Sequence, residues 1–170
     1  MYNWHQNTGR VYVTSGIGYG RNELSAFDAA ELDAHILAAN AIKISSFIPP
    51  NWQIIIGKQG LAEHTHSGVF LPMAYAYAAS NKVRVSASVL IGMNKDNEKA
   101  SIIVEHADRD VSKEQAVMQS QLTMEEAYTS RGWEIDRIEE IALEALPKDN
   151  LYACALVAVV FLSDGAIQRG

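Results

Sequence analysis

Polar and apolar residues alternate along most of this chain, and apolar spacing of about 3.6 is confined to three stretches. Val11-Tyr12-Val13-Thr14 has the β-branched and aromatic content of a strand. The glycines of Gly16-Ile17-Gly18-Tyr19-Gly20 then predict a flexible turn. A helix is predicted over about 23–37, with Leu24, Phe27 and Ala30 on one face and Asn22 as N-cap, Ser25 being the alternative cap. Asp28 falls at the edge of that stripe, where a carboxylate can overhang a pocket. Ala41 to Phe47 has the period of a half-buried strand, which in regular form puts Ser46 on one face with Asn40, Ile42 and Ile44.

Farther along, Gln53 to Gly57 predicts a short strand and Leu61 to Ser67 a loop. Val69 to Ala79 and Lys82 to Met93 are long candidate strands, whose short link at Ser80-Asn81 suggests a hairpin. A third, Ser101 to Ala107, follows the solvated turn Asn94 to Lys99. Ser112-Lys113-Glu114-Gln115 has the form of a capping box and opens a helix through about Arg131, stopped by Gly132. Its buried side is expected at Ala116, Met118, Leu122, Ala127 and Tyr128. In Glu134 to Leu146, Ile135, Ile138, Ile141, Ala142 and Ala145 recur at helical spacing. Tyr152 to Phe161 is a continuous apolar run of strand length, as for a strand buried on both faces. The pattern is that of a sheet-rich α+β chain with two principal helices.

At 170 residues the chain suits one compact domain. A net charge of −6 argues against nucleic acid or an anionic membrane as partner and is compatible with a cationic ligand. The single cysteine, Cys154, lies in the last apolar run and is expected to be a buried apolar residue, as suits a reducing cytoplasm. Residues 1–10 lack the basic-then-apolar pattern of a signal peptide, and no apolar run has the length of a membrane span.

Four candidates for chemistry arise. The Gly16-x-Gly18-x-Gly20 run lies between a strand and a helix, but a dinucleotide fingerprint needs another glycine three positions after Gly18, where Arg21 stands. His64 and His66 have no third metal ligand at motif spacing, and His106 is expected on the strand face opposite Glu105. Glu105, directly after Ile102-Ile103-Val104, would be a proton donor if buried, because burial disfavours the charged carboxylate. The fourth is Ser45-Ser46, between apolar residues and the stop Pro49-Pro50. If the Ser46 hydroxyl is pressed onto the Ser45 carbonyl, the peptide can rearrange to an ester, and elimination from it leaves a pyruvoyl group.

The blocks Asn22 to Asp28, Lys43 to Pro50, Ile103-Val104-Glu105 and Arg131 to Glu139 stand in an order and spacing that resemble the pyruvoyl-dependent arginine decarboxylases. The resemblance implies a four-layer αββα sandwich in one domain spanning 1–170, with a strand over most of 134–146. It implies self-cleavage between Ser45 and Ser46, giving a β chain of 1–45 and an α chain of 46–170 that starts with the pyruvoyl group. That group would replace pyridoxal phosphate, with no metal. L-arginine would lose CO₂ to give agmatine. Glu105 would return the proton to the α-carbon, so that Glu105→Gln is expected to cleave but not turn over. Asn40 would donate to oxygen gaining charge, while Asp28 and Leu24 would line the substrate pocket, Asp28 facing the guanidinium. A homotrimer with sites between subunits is implied as well. His35-Ile36-Leu37-Ala38-Ala39 departs from the family's glycine-rich turn, which leaves a decarboxylase for another basic amino acid, or a non-cleaving homologue that binds a small cation, as alternatives.

Overall fold

The computed structural model describes residues 8–36, 38–65 and 68–163. Nine strands, two α-helices and one short 3-10 helix (Leu61–Glu63) are present among them: β1 (Gly9–Gly20), α1 (Glu23–Asp33), β2 (Asn40–Lys43), β3 (Phe47–Ile48), β4 (Gln53–Ile56), β5 (Phe70–Ser80), β6 (Val85–Asn94), β7 (Ser101–Arg109), α2 (Lys113–Thr129), β8 (Ile135–Ala145) and β9 (Tyr152–Ser163). The first sheet has the order β2-β5-β9-β1-β4, and the second has the order β3-β7-β6-β8.

β9 explains why the sheets stack as they do. Its alternate residues Ala153, Ala155, Val157, Val159 and Phe161 meet Val85, Ala87, Val89, Ile91 and Ile103 of the second sheet. The intervening Cys154, Leu156, Ala158, Val160 and Leu162 meet Ala26, Ala30 and Ala34 of the α1 segment. A strand apolar at every position therefore requires covers on both faces. On the far side, α2 lays Met124 and Tyr128 on Leu90, Ile102 and Val104. The layers run α1, first sheet, second sheet, α2, the expected αββα sandwich.

The glycine run is not a turn. β1 continues unbroken to Gly20, paired with β9 along its whole length, and Gly16, Gly18 and Gly20 recur on the face under α1. A Cβ on Gly18 would lie 2.1 Å from the Ala26 carbonyl oxygen, and one on Gly16 2.1 Å from that of Ala30. The glycines let the helix backbone rest directly on the strand. With so little space, the buried face of α1 consists of alanines, and Leu24 is 77% exposed, contrary to the predicted stripe of Leu24, Phe27 and Ala30. Phe27 turns sideways and packs its ring 4.4 Å from that of Tyr77.

Asn22 caps α1, and Ser25 completes the capping box as its reciprocal partner. The helix stops at Asp33, short of the predicted end; Leu37 lies outside the described residues. His35 adopts φ +61°, a left-handed conformation that costs a residue with a Cβ about 1 kcal/mol. The predicted hairpin at Ser80-Asn81 is also absent: β5 belongs to the first sheet and β6 to the second, so the link is a crossing between layers. α2 has the predicted cap and capping box. Its buried row is Ala116, Ser120, Met124 and Tyr128, four residues apart, while Met118 and Leu122 face outward. Residues 135–145 form a strand, as the resemblance implied and the spacing did not.

Candidate active site

Ser45 and Ser46 lie where the chain changes sheets. β2 ends at Lys43, and the Ile44 N–H makes one further bond, to the Met73 carbonyl at 3.1 Å. Three residues later Phe47 is opposite Ile102 in the second sheet. The predicted single strand through Phe47 is therefore broken at Ile44 to Ser46, because the segment must cross the gap between two layers. The premise that put Asn40 and Ser46 on one face of a regular strand does not hold; the Asn40 side chain donates to the Gly68 carbonyl at 3.0 Å.

The crossing places Ser46 on Glu105. The Ser46 hydroxyl donates to a Glu105 carboxylate oxygen at 3.1 Å. Glu105 shares the β7 face of Ile103, which packs between the sheets. Burial raises its pKa above the ordinary carboxyl value, restrained by the bond from Ser46, its own backbone N–H and the charge of Lys43. Lys43 is pinned beside the crossing: its ammonium donates to the Tyr75 carbonyl at 2.9 Å and lies 5.1 Å from the centre of that ring. The carboxylate is thus a base able to take the Ser46 proton and, once protonated, an acid able to give it back.

Two backbone hydrogen bonds hold the Ser45-Ser46 segment. Its carbonyl accepts from Ile103 N–H at 2.9 Å, and the Ser45 carbonyl accepts from Phe47 N–H at 3.1 Å. The Phe47 ring lies 5.3 Å from the Arg131 guanidinium carbon. A pyruvoyl group made from Ser46 would fit this environment, since the hydroxyl that must attack already has an acceptor for its proton.

The chain is similar to known proteins over most of its length. Residues 10–165 match the model of one family, pyruvoyl-dependent arginine decarboxylase. The chain belongs to that family. A protein of that name from Methanococcus aeolicus is 33% identical over 151 residues, covering 88% of this chain and 87% of its own. Those from Methanocaldococcus jannaschii and Thermococcus kodakarensis are 34% and 30% identical, covering 79% and 89% of this chain and 79% and 94% of their own. The family is one of carboxy-lyases that use a pyruvoyl cofactor.

The other predicted site residues are elsewhere. Asp28 and Leu24 are exposed on α1, which packs on the outer face of the first sheet, whereas Glu105 faces the gap on its inner side. One protomer does not bring them to Ser46. His64 stacks obliquely on Tyr12 at 6.0 Å, and His66 lies outside the described residues. Among the described residues, no group of three or more His, Cys, Asp or Glu could hold a metal ion, and no helix is long and apolar enough to cross a membrane. Sequence reasoning gave Lys43 and Phe47 no role. Lys43 carried a signal, a lone cation at a strand end three residues before Ser46; a backbone N–H carries none.

Proposed function

We propose that the chain cleaves itself between Ser45 and Ser46, yielding residues 1–45 and 46–170, and then decarboxylates L-arginine to agmatine and CO₂. The observation that carries this reading is the 3.1 Å contact between the Ser46 hydroxyl and the half-buried Glu105 carboxylate. In the first step Ser46 Oγ attacks the Ser45 carbonyl carbon and Glu105 takes the hydroxyl proton. The bond from that carbon to the Ser46 nitrogen breaks and the nitrogen is protonated, so an ester replaces the amide. Loss of the Ser46 α-proton then expels the Ser45 carboxylate. Water enters and ammonia leaves, and a ketone remains at the new N-terminus.

The pyruvoyl group supplies a carbonyl for the substrate amine and an electron sink when CO₂ departs. Glu105 holds the proton that returns to the α-carbon, and the upward shift of its pKa on burial favours the protonated form that donates. Asn40 retains one amide hydrogen beyond its bond to Gly68 for an oxygen that gains charge during processing or turnover. Asp28 is the partner of the guanidinium and Leu24 lines the same pocket. Because α1 and the Glu105 face lie on opposite sides of the first sheet, Asp28 and Leu24 come from a second protomer. A homotrimer with sites between subunits meets that need and covers apolar side chains that one protomer leaves open, among them Leu24, Ile42 and Phe70. The buried thiol Cys154 suits a cytoplasmic setting.

The test is CO₂ release from arginine, lysine and ornithine by the wild type and Asp28→Asn. Arginine should be preferred, and Asp28→Asn should raise its KM at a cost of roughly 1.5–3 kcal/mol, as expected for a lost charge-assisted hydrogen bond. Unchanged arginine kinetics in Asp28→Asn would remove that residue from the site. Preference for lysine or ornithine would replace arginine as the substrate.

A further inference from the structure

The Ser45 carbonyl, the one that Ser46 would attack, already accepts a hydrogen bond from two residues ahead. Phe47 N–H donates to it at 3.1 Å, closing a three-residue turn around Ser46. Sheet geometry explains why that N–H is available. In an antiparallel ladder the N–H groups of a residue point either toward the partner strand or away from it. The ladder bond here runs from Ile103 N–H to the Ser46 carbonyl at 2.9 Å, so Phe47, opposite Ile102, stands at a non-bonded position with its N–H turned away from β7. The ring of the same residue is fixed beside Arg131 at 5.3 Å. The donor therefore belongs to the backbone of a residue anchored in the second sheet, while its acceptor belongs to the crossing segment.

We propose that the backbone N–H of Phe47 is the oxyanion donor of the self-cleavage step. As Ser46 Oγ bonds to the Ser45 carbonyl carbon, the carbonyl π pair moves onto Ser45 oxygen, and the Phe47 N–H stabilises the charge that forms there. The proton of the hydroxyl goes to Glu105 on the other side of the turn. When the tetrahedral centre collapses, the pair returns to re-form the carbonyl and the Ser46 nitrogen leaves. A turn of three residues thus holds nucleophile, electrophile and oxyanion donor, and the fold adds only the base. This assignment rests on cleavage between Ser45 and Ser46 and gives the processing oxyanion a donor separate from Asn40.

The experiment replaces the Phe47 amide N–H with an ester oxygen, by incorporating phenyllactate at position 47 of the full chain, and follows intact mass with time. The ring and its anchors are retained. Cleavage should be slower by about 10²- to 10³-fold, the usual effect of losing one oxyanion donor. Cleavage at the wild-type rate would overturn the proposal, and a wild type that never cleaves would instead defeat the processing reading on which it rests. A second measurement does not depend on the ester chain folding. In Ser46→Ala labelled with ¹⁵N-phenylalanine, the Phe47 amide should be protected from hydrogen exchange, and its resonance is identified by its absence in Phe47→Leu. Exchange at the rate of a free amide would overturn the proposal.

Discussion

Replacing Glu105 with Gln separates the two jobs assigned to that carboxylate, and the geometry revises what the resemblance alone implied. A proton donor used only in turnover would leave Glu105→Gln fully able to cleave. In the uncleaved chain, however, the carboxylate is bonded to the Ser46 hydroxyl at 3.1 Å, where it is placed to accept the proton as the oxygen attacks. Gln preserves the shape, and its amide oxygen can still accept that hydrogen bond, but it cannot take the proton. Cleavage should slow by roughly 10² to 10⁴, the range for a positioned general base. In the wild type the cleavage rate should rise with pH as the carboxyl ionises, and level off above its raised pKa; in Glu105→Gln that limb should be absent. Stability gives an independent check of sign. A carboxyl whose folded pKa is raised binds more protons in the native state, so its contribution to stability is lost as pH rises through that pKa. Glu105→Gln should therefore be no less stable than Ser46→Ala at pH 8. The assay is the half-time of fragment appearance by intact mass between pH 5 and 9. Wild-type half-times for Glu105→Gln across that range would refute the role of Glu105 in processing.

Two further outcomes test the fold and its charges. Gly18→Ala should destabilise by roughly 3 kcal/mol or fail to fold, because the added carbon would meet the Ala26 oxygen at 2.1 Å and the Ala30 nitrogen at 2.3 Å, both backbone atoms; an unchanged melting temperature would mean that α1 does not rest on β1. Glu31 is raised to about 7 by burial and then by the nearby Asp28 charge, so stability should fall as pH rises from about 4.5 through 7. Because Glu31 is only half-buried, Glu31→Gln should stabilise by about 1 kcal/mol at pH 8 after solvent screening and have little effect at pH 4. Equal melting temperatures of the two proteins at pH 8 would contradict the environment assigned to Glu31.

Much of the architecture could be read from periodicity because it is set by burial. β9 was predicted as a strand covered on both faces from its continuous apolar run, and α2 from its capping box and its end at Gly132. The failures share one cause, that local pattern does not say which layer an element joins. Ser80-Asn81 has the look of a hairpin whether the chain doubles back in one sheet or steps to the other. The glycines of β1 looked like a turn because the reason for them lies on α1, in the backbone of Ala26 and Ala30. Residues 135–145 have helical spacing, yet sheet pairing with β6 overrides it. At the candidate site, local pattern points to Ser46 and Glu105 separately and the resemblance puts them in one site, but only the crossing between sheets shows that they touch. The regular strand assumed for residues 41–47 drew Asn40 toward Ser46, but the break at Ile44 leaves its amide on Gly68.

The measurement that bears most directly on the central claim is the intact mass of purified wild-type protein beside Ser46→Ala, after incubation at several pH values. The wild type should resolve into two masses, residues 1–45 ending in a free carboxylate and residues 46–170 lacking an amino terminus and reacting with an aminooxy reagent at one ketone. Ser46→Ala should give a single uncleaved mass. A wild type that remains one full-length chain under all conditions, with no reactive ketone, would contradict the claim that Ser46 becomes the cofactor.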